Sequence, residues 1–436
     1  HFTYKKLLQF VFPSIIMMIF TSIYSVVDGL FVSNFVGKSA FAAVNLIMPF
    51  LMGISALGFM IGTGGSAIVA KTLGEGKIEN ANEYFSMLVY ITAIGGIIIA
   101  ILSMFLVKPV AILFGASGTL LDNCILYGRI LCISLPAFML QNVFQSFFVT
   151  AEKPHLGLRV IVIAGVTNMV LDFLFVAVFH LGLPGAGLAT VCGEFIGGLF
   201  PLFYFGRKNS SLLKLGKTHF HGRILLKTCT NGSSELMTNL SSSVVNALYN
   251  MQLMKFAGED GVAAYGTIMY VNFIFVSIFF GYAIGSAPIV SYHYGANNQD
   301  ELKNLFHKSI RLIGTWAVSL FIIAQLIATP LATLFVGYDQ GLFELTRSGF
   351  RLYSFAFLIN GFNIYGSAFF TALNNGLLSA LISFLRTLVF QMAVVLLLPL
   401  LLGINGVWCS VAIAELLTLC VTGTFIVLKR NTYHYL

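Results

Sequence analysis

Charge is the scarcest property of this 436-residue chain: Asp, Glu, Lys and Arg together make up 9% of it, against about 25% in an ordinary soluble domain. A water-soluble globular protein is excluded on that ground. Cysteine is sparse too, and none of Cys124, Cys132, Cys192, Cys229, Cys409 and Cys420 falls in a CxxC or zinc spacing. They read as packing residues rather than a disulfide or metal framework. HExxH and GxSxG are absent, and the eight histidines form no metal-ligating group, so an enzyme lacks its usual chemistry here. Strand-like alternation is missing, which excludes an outer-membrane barrel. The net charge of +8 is spread over short loops instead of gathered into a patch with exposed aromatics. Its reading is orientation in a membrane, with no nucleic-acid partner. Position 1 is His rather than Met, so preceding residues are expected to be missing; no cleavable signal peptide is evident.

What is abundant is apolar sequence, 58% of the chain. A bilayer crossing needs about 20 such residues, and runs like Ile91–Val107, Val318–Leu334 and Val389–Leu402 recur throughout. Broken at Gly, Pro and charge, they predict crossings at 7–33, 44–72, 84–107, 125–150, 157–180, 185–206, 224–254, 262–293, 306–335, 345–373, 377–401 and 405–428. The fold class is therefore all-α integral membrane, with twelve transmembrane helices. An even number puts both termini on one side. That side receives 17 of the 24 Lys and Arg and the other side 6, with Arg386 left inside a helix. The positive-inside rule then places both termini in the cytoplasm of a plasma (inner) membrane protein.

The second half repeats the first at a constant offset of 221 residues. It aligns Gly37 with Gly258, Ala42–Ala43 with Ala263–Ala264, Gly64 with Gly285, Gly74 with Gly295, Pro109 with Pro330 and Glu194 with Glu415. Two pseudo-symmetric six-helix lobes follow: residues 1–206, a connecting cytoplasmic loop 207–223, and residues 224–436. Six helices per repeat keep both copies in one orientation, so the axis relating them runs along the membrane normal, as in some transporters.

Ionisable groups inside hydrocarbon are costly and mark functional positions. Across the repeat Asp28 is replaced by Tyr249, Asn168 by Val389, Asp172 by Ala393 and Thr190 by Val411. A scaffold role would be expected in both lobes; these four polar groups exist in one. Asn168 and Asp172, four apart, share a helical face. Counted from the predicted outer ends, Asp28, Asp172 and Thr190 lie at one level, roughly 7–12 Å deep. Glu194, one turn beyond Thr190, either lines the same cavity or, being matched by Glu415, holds structure in both lobes. Arg386 is expected to anchor a carboxylate or a helix end. The seventh crossing carries a polar stripe, Glu235, Asn239, Ser242, Asn246 and Tyr249, matched on the first by Ser14, Met18, Thr21, Ser25 and Asp28. Such a stripe faces a cavity or glues helices together. Asn142 and Gln145 on the fourth crossing are candidates of the same kind.

At these residues the sequence resembles the multidrug and toxic compound extrusion (MATE) family of the MOP flippase superfamily. The resemblance rests on Phe12-Pro13, Val27-Asp28-Gly29 and Phe35-Val36-Gly37, on Asn168-Met169-Val170-Leu171-Asp172, and on Gly185-Ala186-Gly187-Leu188-Ala189-Thr190. It covers essentially the whole chain. It implies a cation-coupled antiporter, driven by H+ or Na+, that exports organic, often cationic, drugs by alternating access. No other cofactor is implied, the partners are a small-molecule cargo and the bilayer, and a monomer is expected. By the same resemblance Asp28, Asn168, Asp172 and Thr190 form the N-lobe cation site, and Tyr24 lines the cavity. Asn142, Gln145, Glu194 and Glu235 are the remaining cavity candidates. Two departures stand out: Phe173 replaces a proline common after the aspartate, and Glu235 is displaced from the acids another branch uses in the C-lobe. The alternative is a lipid-linked oligosaccharide flippase, whose pyrophosphate cargo calls for several cavity arginines. A polar-lined channel is a further class.

Overall fold

The computed structural model describes residues 2–436, apart from the side chains of Leu30, Ser33, Lys38, Ser39, Phe41, Asn45, Glu259 and Val262. His1 and the Lys38 side chain, counted above in the readings of chain start and charge, lie outside the described residues. The first half is built from α1 (Tyr4–Phe31), α2 (Lys38–Gly74), α3 (Ile78–Leu113), α4 (Gly118–Ile133), α5 (Leu135–Thr150), α6 (Pro154–Asp172) and α7 (Leu183–Gly206). The second half begins with α8 (Gly222–Asn231) and α9 (Ser233–Gly295). After these come α10 (Gln299–Val336), α11 (Gln340–Tyr353), α12 (Asn360–Ala372) and α13 (Gly376–Phe384), then α14 (Phe390–Leu397), α15 (Pro399–Leu402), α16 (Ile404–Leu428) and α17 (Arg430–Tyr433).

Among the described residues, ten spans are long and apolar enough to cross a bilayer, and α4 with α5, bent by 57° at Ser134, makes an eleventh. The twelfth crossing is the arm of α9 before Gly258. Glu235, Asn239, Asn246 and Asn250 make that arm polar, and a helix of this composition stays in a membrane only where neighbours or water cover it. Gly258 bends α9 with φ 66°, and its repeat partner Gly37 opens α2 with φ 127°. Both angles lie in the region only glycine enters without strain, which is why the pair survives in register.

Buried apolar side chains gather into one core drawn from residues 245–435, joined by Leu7, Val11 and Ile15 of α1, and into smaller clusters within the first half. Large apolar side chains point outward elsewhere, Leu113, Leu326 and Leu401 among them, as lipid contact requires.

The halves meet on the side that carries both chain ends. A methyl group added to Gly74 would stand 2.0 Å from the Tyr292 carbonyl oxygen, and one on Gly295 would stand 2.1 Å from that of Lys71. Lys71 and Tyr292 are themselves repeat partners, so α2 and α9 cross on the pseudo-twofold axis with backbones touching. Asn231 donates to the Gly64 carbonyl at 3.3 Å and Asn374 to that of Ala67 at 3.4 Å. Toward the opposite side, Ser25 on α1 and Ser242 and Asn246 on α9 are exposed. The connecting segment is strapped along α3: Lys214 N donates to Asn82 at 2.9 Å, Tyr90 to the Gly216 carbonyl at 2.9 Å and Thr218 to that of Glu83 at 2.8 Å.

Candidate functional site

Small residues let three helices converge in the first half. Gly165 on α6 lies against the rings of Phe20 and Tyr24 on α1, and Gly193 on α7 sits beside the Ala164 carbonyl and Asn168 on α6. Side chains at those points would push the helices apart. Just past this convergence α6 passes at Asp172 into a π-helical turn, Phe173–Val178, and α1 passes beyond Asp28 into another, Val32–Val36. Such turns accumulate at functional sites because they re-aim neighbouring side chains.

A cavity of about 240 Å³ opens between these helices, lined by Tyr24, Asp28, Asn168, Thr190 and Glu194. Asp172, fully buried, neighbours Asp28. One Asp28 oxygen, both Asp172 oxygens and the Asn168 carbonyl oxygen meet no donor among the described residues. No Lys, Arg or His lines the cavity among the described residues. Neighbouring carboxyl groups with Asp172 fully buried and no donor for three of their four oxygens among the described residues disfavour full ionisation of both. Thr190 donates to the Ala186 carbonyl at 3.2 Å, leaving its lone pairs available, and Ser134 donates to Glu194.

The remaining sequence candidates lie elsewhere. Asn142 is buried and donates to the Ser55 carbonyl at 3.2 Å, tying α5 to α2. Gln145 is buried on the same helix and does not line this cavity. Glu235 lines a separate space of about 40 Å³ between the halves, with Arg386, Asn363 and Ser367. Sequence reading missed Tyr127, beside the Thr190 hydroxyl, and Gln141, beside Tyr24, together with Met48 and Met52. Tyr127 carried no signal because it is an isolated aromatic in an apolar helix. Gln141 was discoverable as one more intramembrane amide.

The family model MatE matches the chain twice, over residues 13–174 and 236–397. The chain belongs to the MatE family. Both matches fall one to a half, as the internal repeat requires. Relatives include the multidrug export protein MepA of Staphylococcus saprophyticus, 22% identical over 429 residues (97% of this chain, 93% of that protein). MepA of Staphylococcus haemolyticus is 23% identical over 419 residues, covering 96% and 91%. Among solved structures, MATE in complex with MaL6 superposes with a TM-score of 0.93 at 23% identity, covering 99% of this chain and 97% of the other. An outward-facing multidrug resistance MATE transporter of the MOP superfamily gives 0.93 at 23% identity, covering 99% and 96%. This MATE family transporter therefore shares their fold over its whole length.

Proposed function

We propose that this MATE transporter exports organic cations in exchange for H+ or Na+, with Asp28 and Asp172 carrying the coupling ion. The observation behind the reading is a pair of acidic side chains without donors, Asp28 lining the cavity and Asp172 behind it, where no Lys, Arg or His lines the cavity among the described residues. Hard cations take oxygen ligands, and Asp28, Asp172, Asn168 and Thr190 offer carboxylate, amide and hydroxyl oxygens. A proton serves the same pair by a different route, a hydrogen bond from one carboxyl to the other. Tyr24, Tyr127, Met48 and Met52 supply the adaptable, aromatic and polarizable surface that suits varied organic cargo. The export of several compounds by the MepA relatives, as their name states, accords with that surface.

Residues 1–206 and 224–436 act as two lobes rocking about the 207–223 connection, in a monomer with both termini in the cytoplasm of the plasma membrane. With α2 and α9 sealed at Gly74 and Gly295, the conformation is outward-facing. The ion arriving from outside neutralises the pair, which weakens its hold on a cationic cargo where release is needed.

The deciding experiment is substrate transport in inverted vesicles with pH and Na+ gradients imposed separately. The parent should transport with at least one gradient, and Asp172→Asn should lose gradient-driven transport at normal expression. Equal pumping by Asp172→Asn would overturn the assignment.

A further inference from the structure

Along the seam between α1 and α10 runs an apolar groove of about 510 Å³, open on the lipid side. Leu8, Phe12 and Ile19 form its α1 wall and Trp316, Ser319 and Ile323 its α10 wall. The α1 residues recur at helical spacing on one face. From Leu8 to Ile19 the groove runs roughly 16 Å at the usual rise per residue, close to the ~15 Å depth of one leaflet's hydrocarbon. The groove therefore fits one extended acyl chain in depth.

Its terminus-bearing end is capped by positive charge. Arg311 Nη1 donates to the Tyr4 hydroxyl at 3.3 Å, and Lys308 Nζ lies 5.1 Å from the centre of the Tyr4 ring. Lys5, three residues before Leu8, continues the α1 face toward the same level and is exposed. Neither Lys308 nor Arg311 has an acidic ion-pair partner among the described residues. Their hydrogen-bond partners, the Asn304 amide oxygen for Lys308 and the Tyr4 hydroxyl for Arg311, are neutral, so neither contact cancels the positive charge.

We propose that this seam binds an anionic phospholipid of the terminus-bearing leaflet. Its headgroup phosphate sits among Lys5, Lys308 and Arg311, and one acyl chain fills the groove below. Clustered basic residues beside transmembrane helices select anionic lipids in this way. Because α1 belongs to the first half and α10 to the second, the lipid bridges the two. Val11 and Ile15 of α1 already rest on Gly285 and Gly281 of α9, so an occupied seam favours this arrangement of the halves over one in which α1 swings away.

The test is native mass spectrometry of the purified full chain with 1-palmitoyl-2-oleoyl phosphatidylglycerol, set against the phosphatidylcholine of the same chains. The parent should retain phosphatidylglycerol selectively. Lys308→Ala/Arg311→Ala should retain about thirty-fold less, the loss expected on removing two surface cations. Ser319→Trp, which obstructs the groove without touching the charges, should lose it to a similar degree. Lys77→Ala, an exposed lysine on the same side of the membrane, should bind like the parent. Variants are compared only as monodisperse species by size exclusion, and the two site variants fail independently if either misfolds. Parent-like retention by whichever site variants are monodisperse overturns the proposal, as does equal retention of phosphatidylcholine by the parent, or an equal loss in Lys77→Ala.

Discussion

Arg386 holds Glu415 through its Nε, 3.0 Å from Oε1 and 3.1 Å from Oε2, and Asn363 donates to the same carboxylate at 2.7 Å. The repeat offset places Glu194 where Glu415 stands, Asn142 where Asn363 stands and Gly165 where Arg386 stands. The second half thus pairs its buried glutamate with a guanidinium. The first half has no such cation, and the rings of Phe20 and Tyr24 cover Gly165 instead. The repeat-matched glutamates therefore differ: among the described residues Glu415 has a cationic partner, whereas Glu194 accepts from the Ser134 hydroxyl.

This relationship predicts an asymmetric cost. Arg386→Met strands Glu415, 1% exposed, and should destabilise the protein by roughly 3–5 kcal/mol, the usual penalty for breaking a buried pair. Adding Glu415→Gln removes the stranded charge and should restore at least half of that loss. Thermal unfolding of the detergent-purified variants checks it. A double variant no more stable than Arg386→Met would show that the ion pair is not what holds this region.

The crossing of α2 and α9 predicts a conformational shift. Gly74→Ala/Gly295→Ala places methyl groups against the Tyr292 and Lys71 carbonyls, where no side chain fits, so the terminus-bearing side should open. A cysteine at buried Ser66, in a background without native cysteines, should then react several-fold faster with maleimide applied from that side. Unchanged labelling would place the gate elsewhere.

Charge asymmetry predicts the topology. Single cysteines at exposed Ser210 and Asn298 should be labelled by impermeant maleimide from the cytoplasm, and one at Asp339 from outside. Labelling of Ser210 from outside would invert the whole arrangement.

Coupling at the acidic pair predicts competition between ion and cargo. Binding of a fluorescent cationic substrate to purified protein should weaken as pH falls or Na+ rises, because either ion neutralises the pair. Asp28→Asn should flatten that dependence. Substrate binding that is indifferent to both ions in the parent rules out competition at Asp28 and Asp172.

The sequence by itself determined the class of protein, the repeat and the identity of the polar groups that differ between its halves. Scarce charge and long apolar runs admit only a membrane solvent. A fixed offset is visible without any knowledge of packing, and helical spacing alone puts Asn168 and Asp172 on one face. What only the tertiary structure decided is which groups meet from different helices. Arg386 and Glu415 lie 29 residues apart and pair because α16 packs beside the π-turn that carries the arginine. Asn142, polar and membrane-buried like the site residues, turned out to satisfy a backbone carbonyl of α2. Tyr127 and Gln141 reached the cavity through the bend between α4 and α5. Local sequence fixes the face a side chain occupies on its own helix. The rotation and approach of neighbouring helices depend on close packing at residues such as Gly165 and Gly193, whose contacts lie far away in sequence.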